Sequence, residues 1–307
     1  MSPPMRDLVE LFGGTLPVTD QATTAALLAW LDEFSGTHWN FRKGAERPDA
    51  QEPTLDAEQR AMVLNAAEAL GLVRARSPRH DTYTHLLVLG GLARACLQRT
   101  SYAVALLANV LVGRPEVAAL GSGRPLTAAE HALLRDQGVE ACQNEMDAMD
   151  AGVRRYLGFS GPVSVETNEV PNDSALSWSV RTYRRESGPT VRVLSAPSGE
   201  PEQRRANTAD TQRFWAERVT LTPDDRVLVV TSAIYVPFQH ADALRTLGVP
   251  FGVEVDTVGV EAGWSHEPSL HQPVSPGKYL QEIRSAIRSM RALLAAVEAT
   301  TSASTPA

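Results

Sequence analysis

The sequence predicts an α/β fold: a Rossmann-like, doubly wound and mostly parallel sheet with an N-terminal helical segment. Three observations carry this. Short continuous apolar runs, Leu86-Leu87-Val88-Leu89, Val117-Ala118-Ala119-Leu120 and Val227-Leu228-Val229-Val230, suit strands covered on both faces. Stretches of helical periodicity separate them. Two of the runs end in glycine, at Gly90-Gly91 and at Gly121-Ser122-Gly123. Strands that alternate with helices at this spacing make βαβ units.

Residues 20–35 read as a first helix. Ala26, Leu27, Trp30, Leu31 and Phe34 form its apolar stripe, with Thr19 or Asp20 as cap. The stretch 36–54, rich in Gly, Pro and charge, reads as a loop. Thr54 precedes a second helix over about 55–70, closed by Gly71. The pattern then changes at His85, which opens the first buried strand. A helix over 98–111 and the second short strand at Val117–Leu120 follow. Thr127 and Glu130 form a capping box that opens a helix near 128–136. Residues 139–157 continue helical.

Beyond Gly161, strands are expected at Ala175–Tyr183 and Thr190–Leu194, and a helix at 207–219. Val227–Thr231 is the strongest strand signal. A helix near 237–247, a strand at Phe251–Val255 and a final helix over 277–298 complete the chain, with a disordered Thr/Ser/Ala tail. The expected organisation is a helical segment over 1–78, a ligand-binding core over 79–260, and a C-terminal loop, helix and tail over 261–307.

Composition bounds the function. The chain has 307 residues, 43% hydrophobic and 21% charged, enough to bury a core without disulfide or metal. Its formal net charge of −7 disfavours general nucleic-acid binding, which draws on basic stripes. Cys96 and Cys142 form neither a CxxC motif nor a zinc set and read as buried free thiols. The histidines match no metal spacing, so no metal is expected. No signal peptide or membrane-spanning run is found, which predicts a cytoplasmic protein with no membrane partner.

In a doubly wound sheet, ligands lie outside the carboxyl ends of the strands. The informative residues are therefore Gly90–Gly91, Gly121–Arg124, Ala196–Glu200 and Thr231–Tyr235. Gly90 and Gly91 either make a tight turn or let a ligand approach backbone N–H groups. Gly121, Ser122 and Gly123 repeat the device, and Arg124 offers a planar fork to a carboxylate or phosphate. Thr231, Ser232 and Tyr235 follow the strongest strand, where their hydroxyls either face the cleft or cap the next helix. Arg204, Arg205, Asn207, Thr208 and Thr211 open a helix, an arrangement that favours anions. Glu145, Asp147 and Asp150 read as a solvated face.

These strand ends together resemble the YdcF/SanA/ElyC-like family of bacterial proteins. The resemblance covers about 85–250 and rests on four blocks in order. They are the Gly90-Gly91 strand end with Arg94 or Arg99, Leu120-Gly121-Ser122-Gly123, Arg204–Thr211, and Val229-Val230-Thr231-Ser232. Tyr235 and Gln239 stand where that family has a His and an Arg. The resemblance implies a Rossmann-like fold and, for one branch, S-adenosylmethionine as cofactor.

The expected function is a small-molecule enzyme that holds such a nucleotide-like cofactor and transfers a group from it. Gly90, Gly91, Arg94, Gly121, Ser122, Gly123, Arg124, Asn207, Thr208, Thr231 and Ser232 would bind the cofactor, and Tyr235 would act as acid/base. The alternatives are a catalytically inactive regulator of the same fold and a phosphate-handling hydrolase or transferase using Arg94, Arg124 and Arg204. A homodimer is a further expectation, since Trp30, Phe34 and Trp39 can pack on the core or on a second copy.

Overall fold

The structure is a computed structural model that describes residues 1–17, 23–41, 52–109, 111–171 and 173–303. Among these residues three helices come first: α1 (Pro3–Leu11), α2 (Thr24–His38) and α3 (Ala57–Ala69). The core follows as β1 (Thr82–Leu89), α4 (Ala93–Leu107), β2 (Leu111–Gly121), α5 (Ala128–Asp136), α6 (Glu145–Leu157), β3 (Ser164–Asn168), β4 (Trp178–Tyr183) and β5 (Thr190–Ser195). It continues through α7 (Thr208–Ala216), β6 (Arg226–Ser232), α8 (Val236–Ala243), the short α9 (Val249–Phe251), β7 (Glu254–Val260) and α10 (Pro276–Ala303).

The seven strands form one sheet in the order β3-β4-β5-β2-β1-β6-β7. The run β5-β2-β1-β6-β7 is parallel, while β3 and β4 add antiparallel strands at one edge. Taken in chain order, the parallel strands lie third, second, first, fourth, fifth, which is the doubly wound α/β order. The winding reverses between β1 and β6, so the crevice between their carboxyl ends is the topological switch point.

Alternation along each strand explains the continuous apolar runs. Leu86 and Val88 face one layer with Val117, Ala119, Leu228 and Val230, against Cys96 and Leu97 of α4 and Met146 and Met149 of α6. Leu87 and Leu89 face the other with Ala118, Leu120, Val227 and Val229, against Phe214 and Trp215 of α7 and Ala243 of α8. A third core joins the two ends of the chain. Leu8, Leu31, Phe34, Trp39 and Val63 pack with Leu280, Ile283 and Ile287 of α10, and this cluster reaches Ile234 just beyond β6. The N-terminal helices and the last helix thus sit beside the switch point.

Several boundaries differ from the sequence expectation. Thr23 caps α2, its hydroxyl accepting from the Ala26 N–H at 3.2 Å; Thr19 and Asp20 lie outside the described residues. Asp56, rather than Thr54, caps α3 in a box with Gln59. Helix α4 begins at Ala93, and α6 begins only after Asn144, whose side chain accepts from the Asp147 N–H. Strand β3 was not expected, because every residue of it is exposed and leaves no apolar pattern to read. The last strand is Glu254–Val260, since Val249–Phe251 forms a helical turn that stops at Gly252, φ +70°. Helix α10 continues to Ala303, where a disordered tail was expected; Thr300, Thr301 and Ser302 donate to the carbonyls of Ala296, Val297 and Glu298 one turn back.

Candidate functional site

Because β5, β2, β1, β6 and β7 are parallel, their carboxyl ends share one edge of the sheet. The four expected strand ends therefore lie along that edge. Gly90 is closely confined: a Cβ there would stand 2.2 Å from Glu145 Oε1 and 2.5 Å from the Leu120 carbonyl oxygen. Gly121 is confined by the α6 backbone, with Met146 Cα at 2.7 Å from a Cβ position. Gly123 is open, with nothing nearer than 3.7 Å. Glycine at 90 and 121 thus allows α6 to begin directly over the strand ends.

Helix α4 opens on Gly91 and Leu92. Its cap residue Leu92 has no side-chain acceptor, and the Ala93 N–H donates to Glu130 Oε1 at 2.8 Å. The first turn carries Arg94. This half-buried guanidinium makes no hydrogen bond or ion pair among the described residues. Burial lowers its pKa, and Tyr235 and Glu130 are its electrostatic neighbours. Lys278 of α10 approaches from the other side, its pKa also lowered by burial and then by Arg94. Its ammonium donates to the Pro273 carbonyl at 3.1 Å. Arg99 is buried beneath them at 3% exposure. Its Nε donates to Ser232 Oγ at 3.1 Å, and its Nη1 to the carbonyls of Leu89, at 2.9 Å, and Gly90. Arg99 therefore ties the end of β1 to the end of β6 across the switch point. Its guanidinium also lies over the Tyr235 ring, 5.6 Å from the centroid.

Arg124 occupies a different position from the one expected. All five of its N–H donors have protein acceptors: Glu145 Oε2 at 3.2 Å, the two oxygens of Glu130 at 2.7 and 2.9 Å, and the carbonyls of Gly91 and Pro125, each at 3.1 Å. The Glu130 carboxyl is held down at about 2, against the penalty of burial, by Arg124 and the N–H groups of Thr127 and Ala93. Glu145 behaves oppositely. Burial pushes its carboxyl above the usual range, although Arg124 and Ser122 pull the other way. Ser122 donates to Glu145 Oε2 at 3.1 Å.

The remaining expected residues divide by position. Asn207 is exposed and caps α7, its side chain accepting from the Asp210 N–H, while Thr208 is the first residue of that helix. Arg204 there is paired with Asp210. Thr231 is fully buried, and its hydroxyl has no partner among the described residues. Tyr235 is half-buried, and its hydroxyl accepts from Gln272 Nε2 at 3.3 Å. The crevice thus gathers Gly90, Gly91, Arg94, Ser232 and Tyr235, with Ser122 and Arg124 beside β2 and Asn207 and Thr208 further along the edge.

Sequence reasoning misread or missed five residues. Glu145, Asp147 and Asp150 are not a solvated face: Glu145 meets Arg124, Asp147 and Asp150 meet Arg181, and Tyr183 donates to Asp150. Lys278 gave no signal, because α10 reaches the site from the far end of the chain. Glu130 was legible only as a local cap. A pocket of about 380 Å³ is lined by Ser101, Tyr156, Trp264 and His266, none of them an expected site residue. Among the described residues, no helix is long and apolar enough to cross a membrane.

Comparison with known proteins gives relatives over nearly the whole chain. The family described as the Rv3785 N-terminal domain matches residues 1–71. The "Uncharacterized protein Rv3785" of Mycobacterium tuberculosis (strain ATCC 25618 / H37Rv) is 33% identical over 322 residues, covering 96% of this chain and 87% of its own. The "Uncharacterized protein Mb3814" of Mycobacterium bovis (strain ATCC BAA-935 / AF2122/97) matches at the same identity and coverage. No solved structure matches the chain.

Proposed function

The chain belongs to the family of the mycobacterial protein Rv3785, and on that premise we propose that it binds an anionic small molecule in the crevice between β1 and β6. One observation carries this reading. Arg94 is half-buried at the mouth of the switch point, yet has no anionic or hydrogen-bonding partner of its own among the described residues. A desolvated charge without a partner is costly, and a ligand anion would supply what the protein does not. Its surroundings carry further positive charge, since Lys278 is an electrostatic neighbour and Arg99 ties the adjoining strand ends, although Glu130 already caps the Ala93 N–H of the helix start. Phosphate and carboxylate both suit an arginine fork.

Arg124 and Arg204 take no part, because each is already closed on carboxylates. S-adenosylmethionine, the cofactor implied by the YdcF-like resemblance, fits this site only through its carboxylate, and group transfer with Tyr235 as acid/base belongs to that narrower proposal. Isothermal titration with inorganic phosphate, adenosine monophosphate and S-adenosylmethionine tests the reading. A charge-assisted hydrogen bond contributes about 1.5–3 kcal/mol, so Arg94→Ala should weaken the bound ligand at least about tenfold. The fold should not suffer, since that side chain holds nothing. Absence of binding by all three compounds to folded protein, or equal binding to wild type and Arg94→Ala, overturns the proposal.

A further inference from the structure

We infer that Glu145 selects ligands that carry a hydrogen-bond donor, a hydroxyl or an amine, beside their anionic group. The inference rests on the anion reading of the switch point. It starts from the way the Glu145 carboxylate is divided. Oε2 is fixed by Ser122 and Arg124. Oε1 accepts no hydrogen bond among the described residues, and it lies 2.2 Å from where a Cβ of residue 90 would be. Glycine at 90 therefore lets that oxygen pack onto the strand end, where any side chain would displace it. The side chain is 12% exposed, so it is largely desolvated without being sealed.

Charge points the same way. Arg124 serves two carboxylates, Glu130 and Glu145, so this trio carries one excess negative charge. Arg94 stands in the first turn of the helix that follows Gly91, and Lys278, itself next to Glu52, is its electrostatic neighbour. A ligand laid over the two glycines meets positive charge at one end and a carboxylate oxygen at the other. That polarity matches a molecule with an anion and a nearby donor. A hydroxyl-bearing phosphate ester has this chemistry, and so does a compound with both an anionic group and an amine. The rigid hold on Oε2 makes Glu145 a specificity-determining residue, since it cannot swing away to solvent without breaking two hydrogen bonds.

Two matched pairs of compounds separate the donor sources. Adenosine monophosphate and its 2′,3′-dideoxy analogue differ in hydroxyls; phosphoethanolamine and ethyl phosphate differ in an amine. For at least one pair, wild type should bind the donor-bearing member about tenfold or more tightly, as expected for a hydrogen bond to a charged acceptor. Glu145→Gln, which keeps shape and removes charge, should shrink that advantage to about threefold or less. Binding of inorganic phosphate, which does not span the site, should be unchanged or tighter in Glu145→Gln and lost in Arg94→Ala. No advantage in either pair overturns the inference in wild-type protein alone, whether or not the variant folds. An advantage that persists in Glu145→Gln, or an equal loss for all compounds including inorganic phosphate, overturns it as well. If inorganic phosphate and all four phosphate esters fail to bind wild type, the anion reading itself has failed.

Discussion

Removing the Glu130 carboxylate should destabilise the fold by about 3–4 kcal/mol. Glu130 is 6% exposed and takes five hydrogen bonds: two from Arg124, one from the Ala93 N–H, and two from the N–H and hydroxyl of Thr127. It therefore joins the starts of α4 and α5 to the loop after β2. Breaking a buried pair by deleting one partner costs about 3–5 kcal/mol, because the other charge is left uncompensated. Here Arg124 keeps Glu145, which favours the lower end of that range. Loss of half a capping box adds about 0.5–1 kcal/mol to Glu130→Ala. Urea unfolding followed by tryptophan fluorescence measures this as a fall in midpoint at unchanged slope. The double variant Arg124→Met/Glu130→Leu is the control, since apolar replacement of both partners is often neutral. Glu145, left with Ser122, can then take up a proton, as its burial already favours. If Glu130→Ala stays within about 1 kcal/mol of wild type, or if the double variant is worse than the single, the reasoning is refuted.

Acid should weaken the fold through the same group. The Glu130 carboxyl sits at about 2 in the folded chain against an ordinary value of 4.5, so its contribution is present above about pH 4.5 and is lost as pH falls toward 2. Glu145, raised by burial, acts in the opposite sense, its contribution falling as pH rises. Acid unfolding of Glu130→Gln should therefore be less steep than that of wild type below pH 4.5. Gly90→Ala should destabilise by about 2–3 kcal/mol, because its Cβ meets backbone at 2.5 Å. Gly123→Ala, with nothing nearer than 3.7 Å, should stay within about 0.5 kcal/mol; equal effects in urea melts would contradict the confinement described for Gly90. Burial pushes the Cys96 thiol up to about 12 and the Cys142 thiol up to about 11. Both should resist Ellman's reagent in native protein and react together on unfolding; prompt reaction of either would count against this packing.

The fold was legible where sequence signals are local and both faces of a strand are buried. Leu86–Leu89 and Val227–Val230 read as strands because each residue in turn meets an apolar layer. The Thr127–Glu130 box was legible because both halves lie within one turn. The exposed strand β3 had no apolar face to betray it. The last strand was misplaced because Phe251 extends its apolar run, while Pro250 and Gly252 turn that run into a helical corner. In both cases a tertiary context the local pattern does not encode decided the outcome.

The site was legible to the extent that parallel topology makes it so. Once strands were assigned as parallel, their glycine-bearing ends had to share one edge, and Gly90, Gly91, Arg94, Ser232 and Tyr235 do gather there. Side-chain roles were not legible, because charge pairing is settled in space. Arg124 and Arg94 look alike in sequence, each following a glycine-bearing strand end. Only the fold gives Arg124 ion pairs with two carboxylates and leaves Arg94 without an ion pair among the described residues. The same logic reassigns Glu145. Read on its own helix, it belongs to a polar stripe with Asp147 and Asp150. As the first residue of α6, however, its side chain reaches Gly90, where Arg124 holds one of its oxygens and the absence of a Cβ makes room for the other. What distinguishes an unpaired charge from a structural one here is thus whether the fold has already supplied its partner.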